Sequence, residues 1–154
     1  MTRLRAEIRQ KRPFTSAEQE AHLSIVRSAS VLIDGLEQVL RPAGLSLAQY
    51  NVLRILRGAE PDGLCRNDVR DRMLTRMPDM TRLLDRMEAS GLVSRTRDTE
   101  DRRLVTTRIT AKGTRLLKQL ADAVAAEHRR RLGHLGRRQL QTLIDLLGVI
   151  REHG

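Results

Sequence analysis

Residues 76–91 constrain the fold of this chain more than any other stretch. Met80, Leu83, Leu84 and Met87 recur at i, i+3, i+4 and i+7, the spacing that aligns one apolar stripe on an α-helix. Asp79, Thr81, Arg82, Asp85 and Arg86 fall on the opposite face. Pro78 suits the first turn of such a helix, Asp79 in that turn complements its positive end, and Gly91 stops it. Just upstream, residues 65–74 form a shorter segment with Val69, Met73 and Leu74 apolar. Two helices joined this tightly, the second with an arginine-bearing outer face, make the helix-turn-helix pattern. An ordinary helical hairpin shares much of it, so the flanks decide.

The flanks point one way. Residues 92–97 and 104–109 read as strands with β-branched residues, and the charged run 98–103 between them forms the tip of a β-hairpin. A helix-turn-helix followed by a hairpin with arginines at its tip is a winged helix. Its helix fits the major groove, and a tip arginine suits the narrow, electronegative minor groove. Thr110 is placed to cap a helix from Ala111, with Ile109 before it as a hydrophobic staple. That helix carries Leu116, Leu117, Leu120 and Val124 towards Arg131, and Gly133 and Gly136 break it. A last helix carries Leu140, Leu143, Ile144, Leu147 and Ile150.

Ahead of the motif, Ala21, Ile25, Leu32, Leu36, Val39 and Leu40 mark a helix from Ser16 that Pro42 and Gly44 stop. Another begins near Ser46 with Leu47, Val52, Leu53 and Leu56, and fades over residues 58–63. The expected fold is mainly α (α+β): a winged helix-turn-helix with N- and C-terminal dimerisation helices. Its parts are a basic arm over 1–15, dimerisation helices over 16–45 and 111–154, and a DNA-binding domain over 46–110. The terminal apolar stripes exceed what so small a lobe can cover. A homodimer follows, suited to two-fold recognition of a palindromic site.

Charge agrees with a polyanionic partner. Lys and Arg number 29 against 19 acids, a net +10 with a pI near 11.3. Nucleic acid comes first among partners, an anionic membrane second. The balance is uneven: +4 over residues 1–15, −2 over 16–63, +3 over 64–110 and +5 over 111–154. With Phe14 and Tyr50 as the sole aromatics, binding modes that stack bases on aromatic platforms are excluded. A basic amphipathic helix flanked by bulky interfacial aromatics is missing too, which argues against a membrane surface. Cys65 is alone, so an internal disulfide framework is excluded. No signal-like segment or long apolar run stands in the sequence, and the cytoplasm is the expected compartment.

An enzyme is not expected. His22, His128, His134 and His153 share no catalytic or metal-ligand spacing, and no glycine-rich phosphate loop appears, so neither cofactor nor metal is implied. A sequence-neutral architectural DNA-binding protein is the alternative that charge alone would support.

The run R-M-P-D-M-T-R-L-L-D-R-M-E-A-S-G-L-V-S-R over 76–95, with Asp101-Arg102-Arg103 and I-T-A-K-G over 109–113, resembles the multiple-antibiotic-resistance regulator (MarR) family. The resemblance follows the whole chain in element order and is specific over about residues 64–117. It implies a homodimeric, DNA-binding repressor dimerised through its terminal helices. By that resemblance Asp79, Thr81, Arg82 and Arg86 occupy the exposed positions of the recognition helix. Thr81 and Arg82 would meet base edges or nearby phosphates, and Arg86 a phosphate or groove. Asp101 would orient Arg103, which enters the minor groove with Arg102. Asn67, Arg76 and Arg97 complete the expected DNA contacts.

Plainer roles stand beside these. Asp79 could serve only the helix dipole, Arg82 and Arg86 could pair with Asp79 or Asp85, and Arg95 and Arg97 could simply alternate out to solvent. Met73, Met80 and Met87 read as core. The resemblance also implies a small aromatic or phenolic ligand between the dimer helices and the winged lobe. His22 and Tyr50 lie on helices bordering that cleft, though packing roles suit both. Cys65 reads as an inert thiol, and the arm 1–15 is expected to order only when DNA is present.

Overall fold

In this computed structural model, which describes residues 2–153, local capping chemistry sets most helix boundaries. A short α1 (Arg3–Glu7) precedes the long α2 (Ala17–Leu40), whose cap Ser16 accepts the Gln19 N–H at 3.2 Å. Pro42 does not end the chain's helical course at once; it opens a 3-10 turn, Arg41–Ala43, closed by Gly44 at φ 71°. Ser46 and Gln49 form a reciprocal capping box at the start of α3 (Leu47–Arg57). After it come β1 (Leu64–Cys65), α4 (Arg66–Asp71) and α5 (Met80–Ala89). Then follow β2 (Val93–Arg97), β3 (Val105–Ile109), α6 (Ala111–Leu132) and α7 (Arg137–Glu152). Thr110 caps α6 through the Gly113 N–H at 3.2 Å, as expected.

One boundary differs from the sequence reading. Asp79 is the cap of α5 and not part of its first turn, so Pro78 lies ahead of the helix. Gly91, at φ 73°, closes α5, with the Leu92 N–H donating back to the Met87 carbonyl at 2.9 Å.

The sheet is antiparallel in the order β1-β3-β2. Register runs from Val93 opposite Ile109 to Arg97 opposite Val105, while Leu64 and Cys65 pair with Thr107 and Thr106. The entry to β1 requires glycine. Gly63 has φ 77°, and a Cβ there would stand 2.6 Å from the Thr107 carbonyl oxygen.

The core sits under this sheet. Val52, Leu53 and Leu56 of α3, Val69 of α4, Leu83, Leu84 and Met87 of α5, and Val93 of β2 are all at most 1% exposed. Burial of each such side chain stabilises the fold by about 1.5–3 kcal/mol. Met80 and Met87 belong to this core, and Met73 packs against it. The terminal helices are different. α7 has no buried residue, and Ile144, Leu146, Val149 and Ile150 are each more than half exposed, as is Val26 of α2.

α2 and α6 cross closely at Gly35, where a Cβ would lie 2.0 Å from Oε1 of Glu127. Glu127 is buried and accepts from Arg130 at 2.7 and 2.9 Å and from Arg131 at 2.8 Å. Those hydrogen bonds, Arg130's foremost, hold its carboxyl below the usual range. The arm departs from expectation: α1 is helical, Leu4 is buried, and Glu7 pairs with Arg27 of α2 at 2.8 Å. One apolar anchor and one ion pair hold its first half.

Candidate nucleic-acid interface

The outer face of α5 is built by what its inner face buries. With Leu83, Leu84 and Met87 held in the core, Thr81, Arg82, Asp85 and Arg86 must face water. Asp79 is occupied by the backbone: its Oδ1 accepts the Arg82 N–H at 3.0 Å, which fixes the start of the helix. Its Oδ2 lies 3.4 Å from Nε of Arg82, both side chains exposed. A surface pair of this kind contributes about 0–1 kcal/mol, so Arg82 can exchange it for a phosphate or base edge. Arg86 has no carboxylate partner among the described residues.

Asp85 turns the other way, towards the wing. The Arg95 guanidinium on β2 donates to Asp85 at 2.6 Å and to Glu88 at 2.9 Å, and Glu88 also accepts the Arg95 backbone N–H at 3.1 Å. The hydrogen bond from Arg95 keeps the Glu88 carboxyl below its ordinary range. Arg95 therefore does not simply alternate out to solvent. It ties the recognition helix to the hairpin.

The wing tip is a turn organised by carboxylates. Asp98 Oδ1 accepts the N–H groups of Glu100 and Asp101 at 2.8 and 2.9 Å, which lowers its proton affinity. Asp101 Oδ1 accepts the backbone N–H of Arg103 at 2.9 Å. Asp101 thus sets the course of the main chain at Arg103, whereas its side chain pairs with no guanidinium among the described residues. Arg97, Arg102 and Arg103 are exposed, and none has a carboxylate within ion-pair distance among the described residues.

Three of the expected contacts share one place. Asn67, Thr81 and Arg103 border a cleft of about 380 Å³ between α4, α5 and the wing, together with Cys65, Arg66 and Arg95. Arg66 donates to Thr81 Oγ1 at 2.9 Å. Sequence reasoning missed Arg66, because nothing in its spacing connects the first residue of α4 to a hydroxyl fifteen residues on. Cys65 caps α4, its Sγ accepting the Asp68 N–H at 3.5 Å. Arg76 lies apart, exposed along the connection to α5 beside Thr75 and Pro78.

His22 is exposed on α2, and Tyr50 is half-buried on α3 against the core. Neither lines the cavity of about 770 Å³ that α2 forms with the α6–α7 corner, where Ser24, Arg27, Leu32, Arg131 and Leu147 are found.

A helix seated on a three-stranded sheet, with arginines on its outer face and on the adjoining hairpin, defines a winged helix-turn-helix protein. Similarity to known proteins narrows that class. The family model described as MarR family matches residues 43–104. A MarR transcription factor from Planctomyces limnophilus is 40% identical, with 89% of this chain and 99% of that one covered and a TM-score of 0.69. This chain belongs to the MarR family of transcription regulators. The HTH-type transcriptional regulator FarR of Neisseria gonorrhoeae is 26% identical over 90% of this chain and 93% of its own. The structure of CouR from Rhodococcus jostii RHA1 bound to p-coumaroyl-CoA is 26% identical, covers 89% and 95% of the two chains and has a TM-score of 0.74.

Proposed function

We propose that this chain is a sequence-specific, double-stranded-DNA-binding transcriptional repressor that acts as a homodimer in the cytoplasm. It works by binding, not catalysis. The observation that carries the reading is the set of outward arginines without carboxylate partners among the described residues: Arg86 on α5, and Arg97, Arg102 and Arg103 on the wing. Two recognition helices would enter successive major grooves about one helical turn apart, and two wings the flanking minor grooves. Thr81 and Arg82 meet base edges or phosphates, Asn67, Arg76 and Arg86 meet phosphates, and Arg103 enters the minor groove with Arg102. Asp79 and Asp101 act indirectly, through the helix start and the wing turn. The uncovered stripe of α7 supports the dimer.

A small aromatic or phenolic ligand releases the DNA in this reading, which the phenolic acyl group of the p-coumaroyl-CoA bound to CouR supports. It would do so by favouring a lobe spacing that no palindrome fits, and a coupling of a few kcal/mol suffices.

The test is fluorescence anisotropy against the DNA upstream of the chain's own gene and a scrambled control, across a salt series. Wild type is expected to prefer the operator, Arg103→Ala to weaken specific binding roughly tenfold or more with the dimer intact, and Thr81→Ala with Arg82→Ala to flatten discrimination. Equal affinities for both duplexes with the same steep salt slope would instead favour a sequence-neutral architectural protein.

A further inference from the structure

The positive charge of this chain is concentrated away from the surface that reads DNA. Residues 64–110, which hold the recognition helix and wing, sum to +3. Residues 1–15 sum to +4, and residues 128–138 hold five arginines and no acid, so these two short stretches carry +9 of the net +10. They lie at one end. Glu7 of the arm and Arg130, Arg131 and Leu135 of the α6–α7 corner line the same cavity along α2. α6 starts one residue after β3 and runs 22 residues to reach the corner, about 33 Å at the rise of an α-helix.

Four of the five corner arginines are also exposed in the single protomer. Glu127 neutralises only Arg130 and Arg131. Arg129, Arg137 and Arg138, like Arg9, Lys11 and Arg12 of the arm, are exposed and have no carboxylate partner among the described residues. Arg137 and Arg138 open α7, whose first turn holds no acid, so two cations oppose the positive end of that helix dipole. Dimerisation through α2, α6 and α7 would add a second such cluster from the partner copy. Like charges gathered this way cost the isolated protein, and a polyanion relieves them.

We infer that this pole is a second, sequence-neutral binding surface for duplex DNA, so that one dimer bridges two duplex segments. The dimer here is that of the reading above; the charge of the pole is independent of it. Arginine favours phosphates, which it grips through two N–H groups. An anionic membrane fits less well, because the corner carries no aromatic side chain and, in the dimer of the reading above, the apolar stripe of α7 would face the partner copy.

The experiment uses the full-length protein, a donor-labelled operator duplex and an acceptor-labelled duplex of about 25 base pairs without operator sequence, at about 50 mM salt. Energy transfer between the duplexes reports bridging. Wild type is expected to bridge. Arg129→Gln, Arg137→Gln and Arg138→Gln together should weaken capture of the second duplex at least about tenfold and operator binding less than about threefold, with an unchanged thermal midpoint. Arg103→Ala should do the reverse. Bridging by wild type that the triple variant retains overturns the inference, as does a wild type that never bridges. It is overturned equally if the triple variant loses binding only to vesicles of about one-third anionic lipid. A wild type that lacks operator preference, yet captures two duplexes in a manner the triple variant loses, would sink the operator reading and leave this inference standing.

Discussion

α5 and α7 carry equally plain apolar stripes, yet they end differently. Leu83, Leu84 and Met87 of α5 are at most 1% exposed, closed over by α3, α4 and the hairpin. Ile144, Leu146, Val149 and Ile150 of α7 stay more than half in water. Periodicity reports that a face wants burial; it does not say whether the same chain supplies the cover. The winged lobe is a complete core. The terminal helices leave an apolar face open.

Three substitutions sharpen that contrast. Leu84→Ala removes a fully buried side chain and should cost about 2–5 kcal/mol in urea unfolding, with no direct effect on the dimer face. A loss well under 1 kcal/mol would mean that the lobe is not closed at α5. Ile144→Glu places a charge on the uncovered stripe and should weaken dimerisation by about a hundredfold or more in sedimentation equilibrium, because an ionised carboxylate resists burial. A dimer as tight as wild type would break the comparison and move the interface elsewhere.

The smallest effect concerns Glu127, where α2 and α6 cross. Its carboxyl is held below the ordinary range in the folded chain, first by Arg130 and then by Arg131. A lowered value means that the stabilisation is complete above the unfolded carboxyl's value of about 4.3 and drains away as pH falls through the folded value. Glu127→Gln should therefore be less stable than wild type at neutral pH, and the gap should narrow below about pH 4. Urea midpoints at both pH values decide it. An equal gap at each would show that the carboxyl matters for packing at the Gly35 crossing and not for its charge.

What could be read from the sequence was local. The helix starts near Ser16 and Ser46, the cap at Thr110, the stripe of α5 and the two hairpin strands each depend on residues within a turn or two of one another. What escaped depended on partners brought together by the fold. β1 is two residues long, too short for any period, and exists because Thr106 and Thr107 of β3 offer it an edge. Arg95 finds Asp85 and Glu88 across a helix–strand contact. Asp101 lies two residues from Arg103, but its choice of the backbone N–H over the guanidinium is a matter of turn geometry. Pro78 and Asp79 both suit helix starts, and one position decides between cap and first turn.

The Arg95 tie has a consequence for which operators fit. Helix and wing joined through one guanidinium behave like the two points of a divider's leg: displacing one carries the other. An extra base pair between half-sites turns the far half-site by about 34°. A leg tied in this way resists letting its wing lag behind its helix. In the proposed dimer the misfit would pass up α6 to the terminal helices. In the proposed dimer, the width of an acceptable palindrome would thus depend also on side chains that never touch a base, and selection for a new spacing would act on the terminal helices.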